Sequence, residues 1–287
     1  MRRFPLPLAA LIGALSLAVS AGPALAAAPP TSGFLVFKDT GRGVASLEIR
    51  DNATGRVVMR EHVSLKRHPH KHHGHRHPQG HPFDPKAACN DESFVTYASW
   101  PSRPSYWINL EGVPRNLNKI LVWAELVSSQ KAWEHHFRSN CKRPHGHNGY
   151  DAKSKGLTNR QPTLVTDLVD DGKNVVGFAS LAGTVCDGAV ACTVADFDET
   201  GIHEADMAFE PDLTRYGFQD FWTTKPRTWF NSTGGEYAVL DVATHEFGHF
   251  AGLDHVFESP ELTMYPIIHD GDDTLGRGDM LGLLSLY

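Results

Sequence analysis

The feature that most constrains this chain is segment 244–255, which reads Thr-His-Glu-Phe-Gly-His-Phe-Ala-Gly-Leu-Asp-His. His245 and His249 are four residues apart, so on an α-helix their imidazoles project from the same face, one turn apart. Two ligands of a single zinc ion need this separation. Glu246 lies beside them, where a carboxylate can act on a water molecule without being a metal ligand. The segment therefore predicts a helix that carries metal ligands and a general base.

The residues after this helix supply a third ligand. Gly252 tolerates backbone angles closed to other residues, so the chain can turn sharply and bring His255 back towards the first two histidines. Three histidines leave the fourth zinc position open, as in catalytic sites, whereas structural sites have four protein ligands and are rich in cysteine. Five such fixed positions would arise by chance on the order of once in ten thousand sequences of this length. The pattern predicts one catalytic Zn²⁺ held by His245, His249 and His255.

The first 26 residues have the composition of a secretory signal peptide. Arg2 and Arg3 precede an apolar run from Leu6 to Val19, and Ala24-Leu25-Ala26 supplies small residues suited to cleavage. The apolar run is shorter than the roughly 20 residues that span a bilayer, and no cysteine near the cleavage point offers a site for a lipid anchor. We expect a secreted, extracellular protein without a membrane anchor.

Three regions follow the signal peptide. Residues 27–67 contain short apolar runs around an Asn52-Ala53-Thr54-Gly55 turn, which predicts a small β-rich segment, either a permanent appendage or a removable propeptide. Residues 68–92 are predicted to be a His/Pro-rich linker, because the seven histidines of tract 68–81 alternate with prolines and glycine and cannot bury an apolar face. Residues 93–287 are long enough for one catalytic domain.

Charge and cysteine content narrow the possible functions. The chain has 33 acidic and 27 basic residues, a formal net charge of −6, which offers no basic surface for nucleic acid. Four cysteines in an exported chain favour two disulfides over free thiols. We pair nearest neighbours along the chain, Cys89 with Cys141 and Cys186 with Cys192, which is one of three possible pairings.

The region 93–287 mixes strands and helices. Runs of strand character lie at 94–97, 106–109, 174–181, 191–195 and 205–209. A helix is predicted after Pro114, with an apolar stripe at Leu117, Ile120, Ala124 and Val127. Strands separated by helices and long loops indicate an α+β fold.

Segment 244–255 resembles the extended zinc motif of the metzincin metalloproteases, and its residues are most similar to those of the matrixin branch. The resemblance implies a twisted mixed β-sheet with three main helices, one of which carries the active site. It also implies a methionine turn beneath the metal, which Leu262-Thr263-Met264-Tyr265-Pro266 would supply. Gly252, Met264 and Pro266 would then support the site structurally. Related families place a tyrosine ligand two residues after the methionine, where this chain has Pro266.

The resemblance extends from about Tyr106 to Tyr287, and the chain departs from it in two respects. No arrangement resembles the second, structural zinc site of vertebrate matrixins, and no Pro-Arg-Cys-Gly segment marks a cysteine-switch propeptide. The acidic residues that could contribute to a Ca²⁺ site lack the regular spacing of a known calcium loop, so calcium is possible but unsupported; they are Asp187, Asp196, Asp198 and Glu199.

The sequence thus predicts a secreted zinc metalloendopeptidase in which Glu246 is the general base for a metal-activated water. Its partners would be protein or peptide substrates, with no nucleic acid and with the oligomeric state left open. Tract 68–81 supports an alternative, since histidine-rich tracts bind zinc, copper or nickel. In that alternative the chain is an extracellular metal-binding protein whose protease-like domain is catalytically incidental.

Overall fold

Eight strands form one mixed sheet in the computed structural model of the chain. Across the sheet they are β3 (Val57–Ser64), β2 (Val44–Arg50), β1 (Ser32–Asp39), β8 (Ala191–Asp198), β9 (Gly201–Phe209), β7 (Asn174–Phe178), β5 (Ser105–Asn109) and β6 (Lys153–Leu157). The structure describes residues 32–39, 44–50, 57–64, 84–134, 137–146, 148–164, 171–214, 221–224, 237–268 and 273–287, the first three ranges without their side chains. The predicted signal peptide 1–26 and the histidine tract 68–81 lie outside the described residues.

The strands of residues 105–209 are parallel except for one. β5 pairs parallel with β6 and β7, and β7 pairs parallel with β9, whereas β8 pairs antiparallel with β9. A tight turn causes the reversal: Asp198 accepts a hydrogen bond from the N–H of Thr200 (2.7 Å), and Gly201 follows with φ +123°. Without β1, β8 would therefore be the outer strand on this side of the sheet.

The strands of residues 27–67 join this sheet instead of standing apart. β1, β2 and β3 form an antiparallel meander. β1 also pairs antiparallel with β8 along its whole length, from Ser32 opposite Asp198 to Asp39 opposite Ala191. The predicted β-rich segment therefore extends the sheet formed by the strands of residues 105–209.

The described residues also form four helices, three of them long: α1 (Pro85–Asn90), α2 (Lys119–Lys131), α3 (Val239–Phe250) and α4 (Arg277–Leu286). The short strands β4 (Val95–Thr96) and β12 (Leu253–Asp254) pair antiparallel, and β10 (Trp222–Thr223) pairs parallel with β11 (Tyr237–Ala238). This arrangement confirms the predicted α+β class. No helix in the described part of the chain is long and apolar enough to cross a membrane.

Helix α2 begins later, and turns a different face inward, than the sequence predicted. The side chain of Asn118 caps its first turn by accepting from the N–H of Ile120 (2.9 Å). Ile120 is 74% exposed, while Val122 and Leu126 are fully buried. Leu117 and Val127 of the predicted stripe do pack against the core, but Ile120 and Ala124 are exposed, because apolar residues surround this helix and their spacing fits more than one face. Trp133, just after the helix, joins it to α3 through a hydrogen bond from its indole N–H to the carbonyl of Thr244 (2.8 Å).

Residues 84–92, which composition assigned to the linker, form α1 and are tied to the region that follows. Cys89 is disulfide-bonded to Cys141, and the N–H of Asp84 donates to the carboxylate of Glu261 (2.7 Å). The second disulfide joins Cys186 to Cys192 at the start of β8. Both bonds follow the nearest-neighbour pairing, which the structure confirms.

Asp206 of β9 gives the fold a pH dependence. Its buried carboxylate accepts hydrogen bonds from the N–H groups of Val175 (2.5 Å) and Thr163 (2.8 Å), yet burial raises its pKa to about 7. Because the folded pKa lies above the unfolded value, this group's contribution to stability is full below about pH 4 and is lost as pH rises towards 7. We expect Asp206→Asn to flatten the decline in unfolding free energy between pH 4 and 7, by a few kcal/mol at most.

Chemical denaturation at several pH values checks this expectation. The exposed Glu199→Gln is the control for loss of one carboxyl group. Burial and the nearby Asp241 raise the pKa of Glu125 to about 7. Glu125 should therefore leave some decline of the unfolding free energy with pH in the Asp206→Asn variant. If the unfolding free energy declined equally with pH in the parent chain and in Asp206→Asn, Asp206 would not titrate between pH 4 and 7.

Candidate metal centre

Helix α3 presents the first two histidines to the centre of the site. Its apolar residues anchor it to the sheet: the rings of Phe247 and Phe250 pack edge to face against Tyr106 of β5, at centroid distances of 5.3 and 6.2 Å. With this face fixed, His245 and His249 point together from the adjacent face, one turn apart. Both imidazoles are fully buried.

Side chains from distant elements satisfy the carboxyl end of α3. The hydroxyl of Tyr97 donates to the carbonyl of His249 (2.6 Å), the indole of Trp100 to that of Phe250 (2.7 Å), and the hydroxyl of Tyr287 to that of Ala251 (2.9 Å). The last carbonyls of a helix lack the N–H partners of a following turn, so these side chains supply donors at the helix end; the carbonyl of His249 also accepts from the N–H of Gly252 (2.9 Å). They also fix the helix end from which His249 projects.

Gly252 makes the turn that the sequence predicted. Its φ is +104°, and a Cβ at this position would lie 1.9 Å from the carbonyl oxygen of Ala98. Only glycine combines this backbone angle with such a close approach. The turn leads into β12, which pairs with β4, and delivers His255 to the centre, where it is 1% exposed.

The three histidines converge as one set of ligands. Their Nε2 atoms are separated by 3.0 Å (His245–His249), 3.2 Å (His245–His255) and 3.1 Å (His249–His255). Three nitrogens at corners of a tetrahedron around zinc, each about 2.0–2.1 Å from the ion, would be about 3.4 Å apart. Three neutral imidazoles that converge so closely fit a zinc ion with one position left open. Among the described residues, this is the one group of three or more His, Cys, Asp or Glu side chains whose spacing suits a metal ion.

The other ring nitrogens of two ligands are held by backbone carbonyls. His245 Nδ1 lies 2.5 Å from the oxygen of Thr263, and His249 Nδ1 lies 2.9 Å from the oxygen of Leu253. With its Nδ1 proton donated to a carbonyl, each imidazole turns an unprotonated Nε2 towards the centre. The backbone thus selects the tautomer that a metal ligand requires.

Met264, the methionine of the implied turn, packs against Gly248 of α3, the residue before His249. It is fully buried, and a Cβ at Gly248 would lie 2.2 Å from its sulfur, so the absence of a side chain at Gly248 lets Met264 pack beneath α3. The carbonyl of Met264 accepts from the N–H of Val256, one residue after His255. Pro266 is buried in the same turn.

Asp279 of α4 holds this turn from below. Its buried carboxylate accepts from the N–H groups of Thr263 (3.0 Å), Met264 (3.2 Å) and Gly276 (2.7 Å). Burial raises the pKa of Asp279, although the three N–H donors act in the opposite direction. One side chain therefore ties the start of α4 to the residues under the metal centre.

Glu246 is buried beside the ligands and is contacted from the sheet. The hydroxyl of Thr193, on β8, donates to its carboxylate and lies 3.3 Å from its backbone oxygen. Sequence reasoning missed Thr193, because it is separated from Glu246 by 53 residues and carries no local motif. The only indication in the sequence was that Thr193 lies in a predicted strand of the sheet, which does not identify it as a partner of Glu246.

Of the acidic residues considered for calcium, Asp198 is engaged by side chains of its own turn and of β9. Asp198 accepts hydrogen bonds from Thr200, and its carboxylate lies 2.8 Å from Nε2 of His203. Hydrogen bonds from Thr200 and His203 hold the pKa of Asp198 low, at about 2. These contacts give the calcium hypothesis no support.

Comparison with known families agrees with this geometry. Residues 181–287 match the model of a peptidase family described as Matrixin. The matched segment contains β8, β9, α3, the three histidines, the methionine turn and α4. The earlier part of the resemblance, from about Tyr106 to residue 180, lies outside the match.

Proposed function

We propose that this chain, whose residues 181–287 are those of a matrixin-like zinc metalloprotease, is a secreted endopeptidase that uses Glu246 as general base. One observation carries the proposal. Three histidine Nε2 atoms converge within 3.2 Å of one another, and the helix that bears two of them also bears the buried Glu246. A purely structural metal site has no need of this carboxylate or of an open ligand position.

The three histidines and Glu246 have different roles in the proposed hydrolysis. His245, His249 and His255 would hold the zinc ion, which supplies Lewis acidity that lowers the pKa of a water molecule and polarises the peptide carbonyl. Glu246 takes a proton from the attacking water and passes it to the leaving amine nitrogen. The buried surroundings of Glu246 keep bulk water from competing for that proton.

Secretion is supported by two independent features. The composition of residues 1–26 is that of a cleavable export signal. Both pairs of cysteines form disulfides, which persist in oxidising compartments outside the cytosol. Mass spectrometry of the protein recovered from the medium would give its amino terminus. A protein that stays inside the cell with residues 1–26 still attached would contradict the proposal.

A peptide library tests the enzymatic assignment. Incubation with the purified protein, both intact and freed of residues 1–67, should yield internal cleavage products. A zinc chelator should abolish them and added zinc should restore them. Deletion of residues 68–81 separates this proposal from a metal-binding role of the histidine tract: a protease should keep its activity and one tightly bound zinc. Failure of both forms, loaded with zinc, to cut any peptide would refute the proposed function.

We expect Thr193→Val to lower kcat about tenfold and to leave KM and zinc content nearly unchanged. The variant keeps the side-chain shape but removes the hydroxyl that orients the Glu246 carboxylate. A hydrogen bond to a charged group contributes about 1.5–3 kcal/mol, of which about 1.4 kcal/mol corresponds to one factor of ten.

Thr193→Ser is the matched control, because it restores the hydroxyl and should recover most of the rate. Steady-state kinetics on one fluorogenic peptide measures both variants. Parent-like kcat in Thr193→Val would exclude a positioning role for this residue.

A further inference from the structure

Helix α2 turns a group of large apolar side chains outward. Ile120 is 74% exposed, Leu121 49% and Trp123 40%, and Ala124, also exposed, lies one turn on from Ile120. Of the six large apolar residues that are exposed in the described part of the chain, three fall within these four positions. Single exposed apolar side chains are common, whereas a contiguous group is typical of a binding surface. We call Ile120, Leu121 and Trp123 the α2 patch.

The charges around the α2 patch are positive. Arg115 and Lys119 precede it and Lys131 ends the helix, and all three side chains are exposed. Segment 112–131 contains one acidic residue, the half-buried Glu125, which lies near Asp241 of α3. The outward face of α2 is therefore cationic, although the whole chain has a net charge of −6.

The stability of α2 does not account for these cations. Lys119 occupies the first position of the helix, and its first turn contains no acidic residue. Positive charge is unfavourable there, because the helix dipole is positive at the amino end. Asp212, which lines a small cavity together with Asn116, accepts hydrogen bonds from Thr214 of its own loop. A negatively charged partner gives the cations a role that the helix does not.

Shape and charge together select the kind of partner. A single helix presents a convex face, whereas small molecules bind in concave sites. A symmetric contact with a second copy would bring Lys119 and Lys131 of both copies together, without an exposed carboxylate of α2 to match them. A lipid surface accepts apolar side chains between its headgroups, favours tryptophan at the interface and, when anionic, attracts lysine and arginine.

We infer that the α2 patch, with Arg115, Lys119 and Lys131, binds the protein reversibly to an anionic lipid membrane surface. This interaction goes beyond the proposed function. The contact is peripheral, because α2 remains packed on α3 through Val122 and Leu126 while the outward side chains enter the headgroup layer. It holds the protein at a surface without a membrane anchor.

The test is co-sedimentation of the secreted protein with lipid vesicles. One set contains equal parts of phosphatidylcholine and phosphatidylserine, and the other contains phosphatidylcholine alone. The pH is kept above 7, where the histidines of tract 68–81 are neutral and add no positive charge. We expect binding to the anionic vesicles to be at least about tenfold tighter than to the neutral ones, and to weaken as salt is added.

Two variants of α2 assign the binding to this face. The double variant Ile120→Gln with Leu121→Gln keeps helix propensity but removes apolar surface, and it should weaken binding at least about tenfold. Lys119→Gln should weaken it about fivefold. The matched controls are Val95→Gln, at an apolar position of β4 that is 44% exposed, and Lys86→Gln, on the exposed side of α1. Every protein carries the same amino terminus, so residues 1–67 contribute equally to all of them.

Each outcome decides the inference. It is overturned if the parent chain does not bind anionic vesicles, if it binds both kinds of vesicle equally, or if the double variant binds like the parent. A dimer in sedimentation velocity that the double variant abolishes would make a second copy the occupant. A melting temperature that falls in the double variant but not in Val95→Gln would show that the chain itself covers the α2 patch, and would overturn the inference as well. Peptide hydrolysis plays no part in these measurements, so they are independent of the proposed function.

Discussion

Replacing Glu246 by Gln should lower kcat about a thousandfold while the protein still binds one zinc ion. The substitution keeps the size and the hydrogen-bonding carbonyl of the side chain, so Thr193 retains a partner. It removes the group that accepts the proton from the attacking water, and general acid–base catalysis contributes about 10²–10⁴ in rate. Zinc is retained because the ligands are the three histidines, whose Nε2 atoms form their own cluster.

The measurement combines single-turnover hydrolysis with metal analysis of the same sample. Glu199→Gln is the matched control, since Glu199 is exposed at the turn after β8 and should leave both quantities unchanged. Residual cleavage above about a tenth of the parent rate would show that another group accepts the proton. Loss of zinc together with activity would instead make Glu246 part of the metal site.

Replacing His249 by Ala should abolish tight zinc binding and, with it, proteolysis. Loss of an outer partner of a ligand already weakens metal binding about 10–100-fold, so loss of the ligand itself should cost more than about 100-fold. The substitution also empties a fully buried position and leaves the carbonyl of Leu253 without its imidazole partner. We therefore expect a lower melting temperature as well.

Isothermal titration with zinc and thermal unfolding with and without the metal measure these effects. In the parent chain zinc should raise the melting temperature, because a ligand bound only to the native state stabilises it. His203→Ala, on the exposed side of β9, is the control and should keep parent-like zinc affinity. If His249→Ala bound zinc as tightly as the parent, His249 would not be a ligand.

The metal centre could be predicted from the sequence because its information is local. Ligands four residues apart on a helix, and a glycine before the third ligand, specify the geometry within eleven residues. The structure places His245, His249 and His255 together, with Gly252 at a positive φ and Met264 beneath α3. The spacing of these residues along the chain was enough to predict them, although distant partners such as Ala98 and Asp279 hold them in place.

What the sequence did not predict depends on distant partners. The pairing of β1 with β8 joins residues more than 150 positions apart, and a strand pattern does not name the strand beside it. The prediction of the buried face of α2 failed for a related reason. Ile120 and Val122 are both apolar, and contacts with neighbouring elements determine which of them is buried. Thr193 was missed because its partner Glu246 is brought to it by the sheet.

The carboxylate of Asp279 also bears on how the protein matures. It holds the backbone of Thr263 and Met264, and Thr263 in turn holds the ring of His245. A growing polypeptide that has reached residue 276 contains every zinc ligand and the general base, but not the group that fastens the turn beneath them. We expect such a chain to carry the motif without a competent centre, so that catalytic power arises only when α4 has been synthesised and docked.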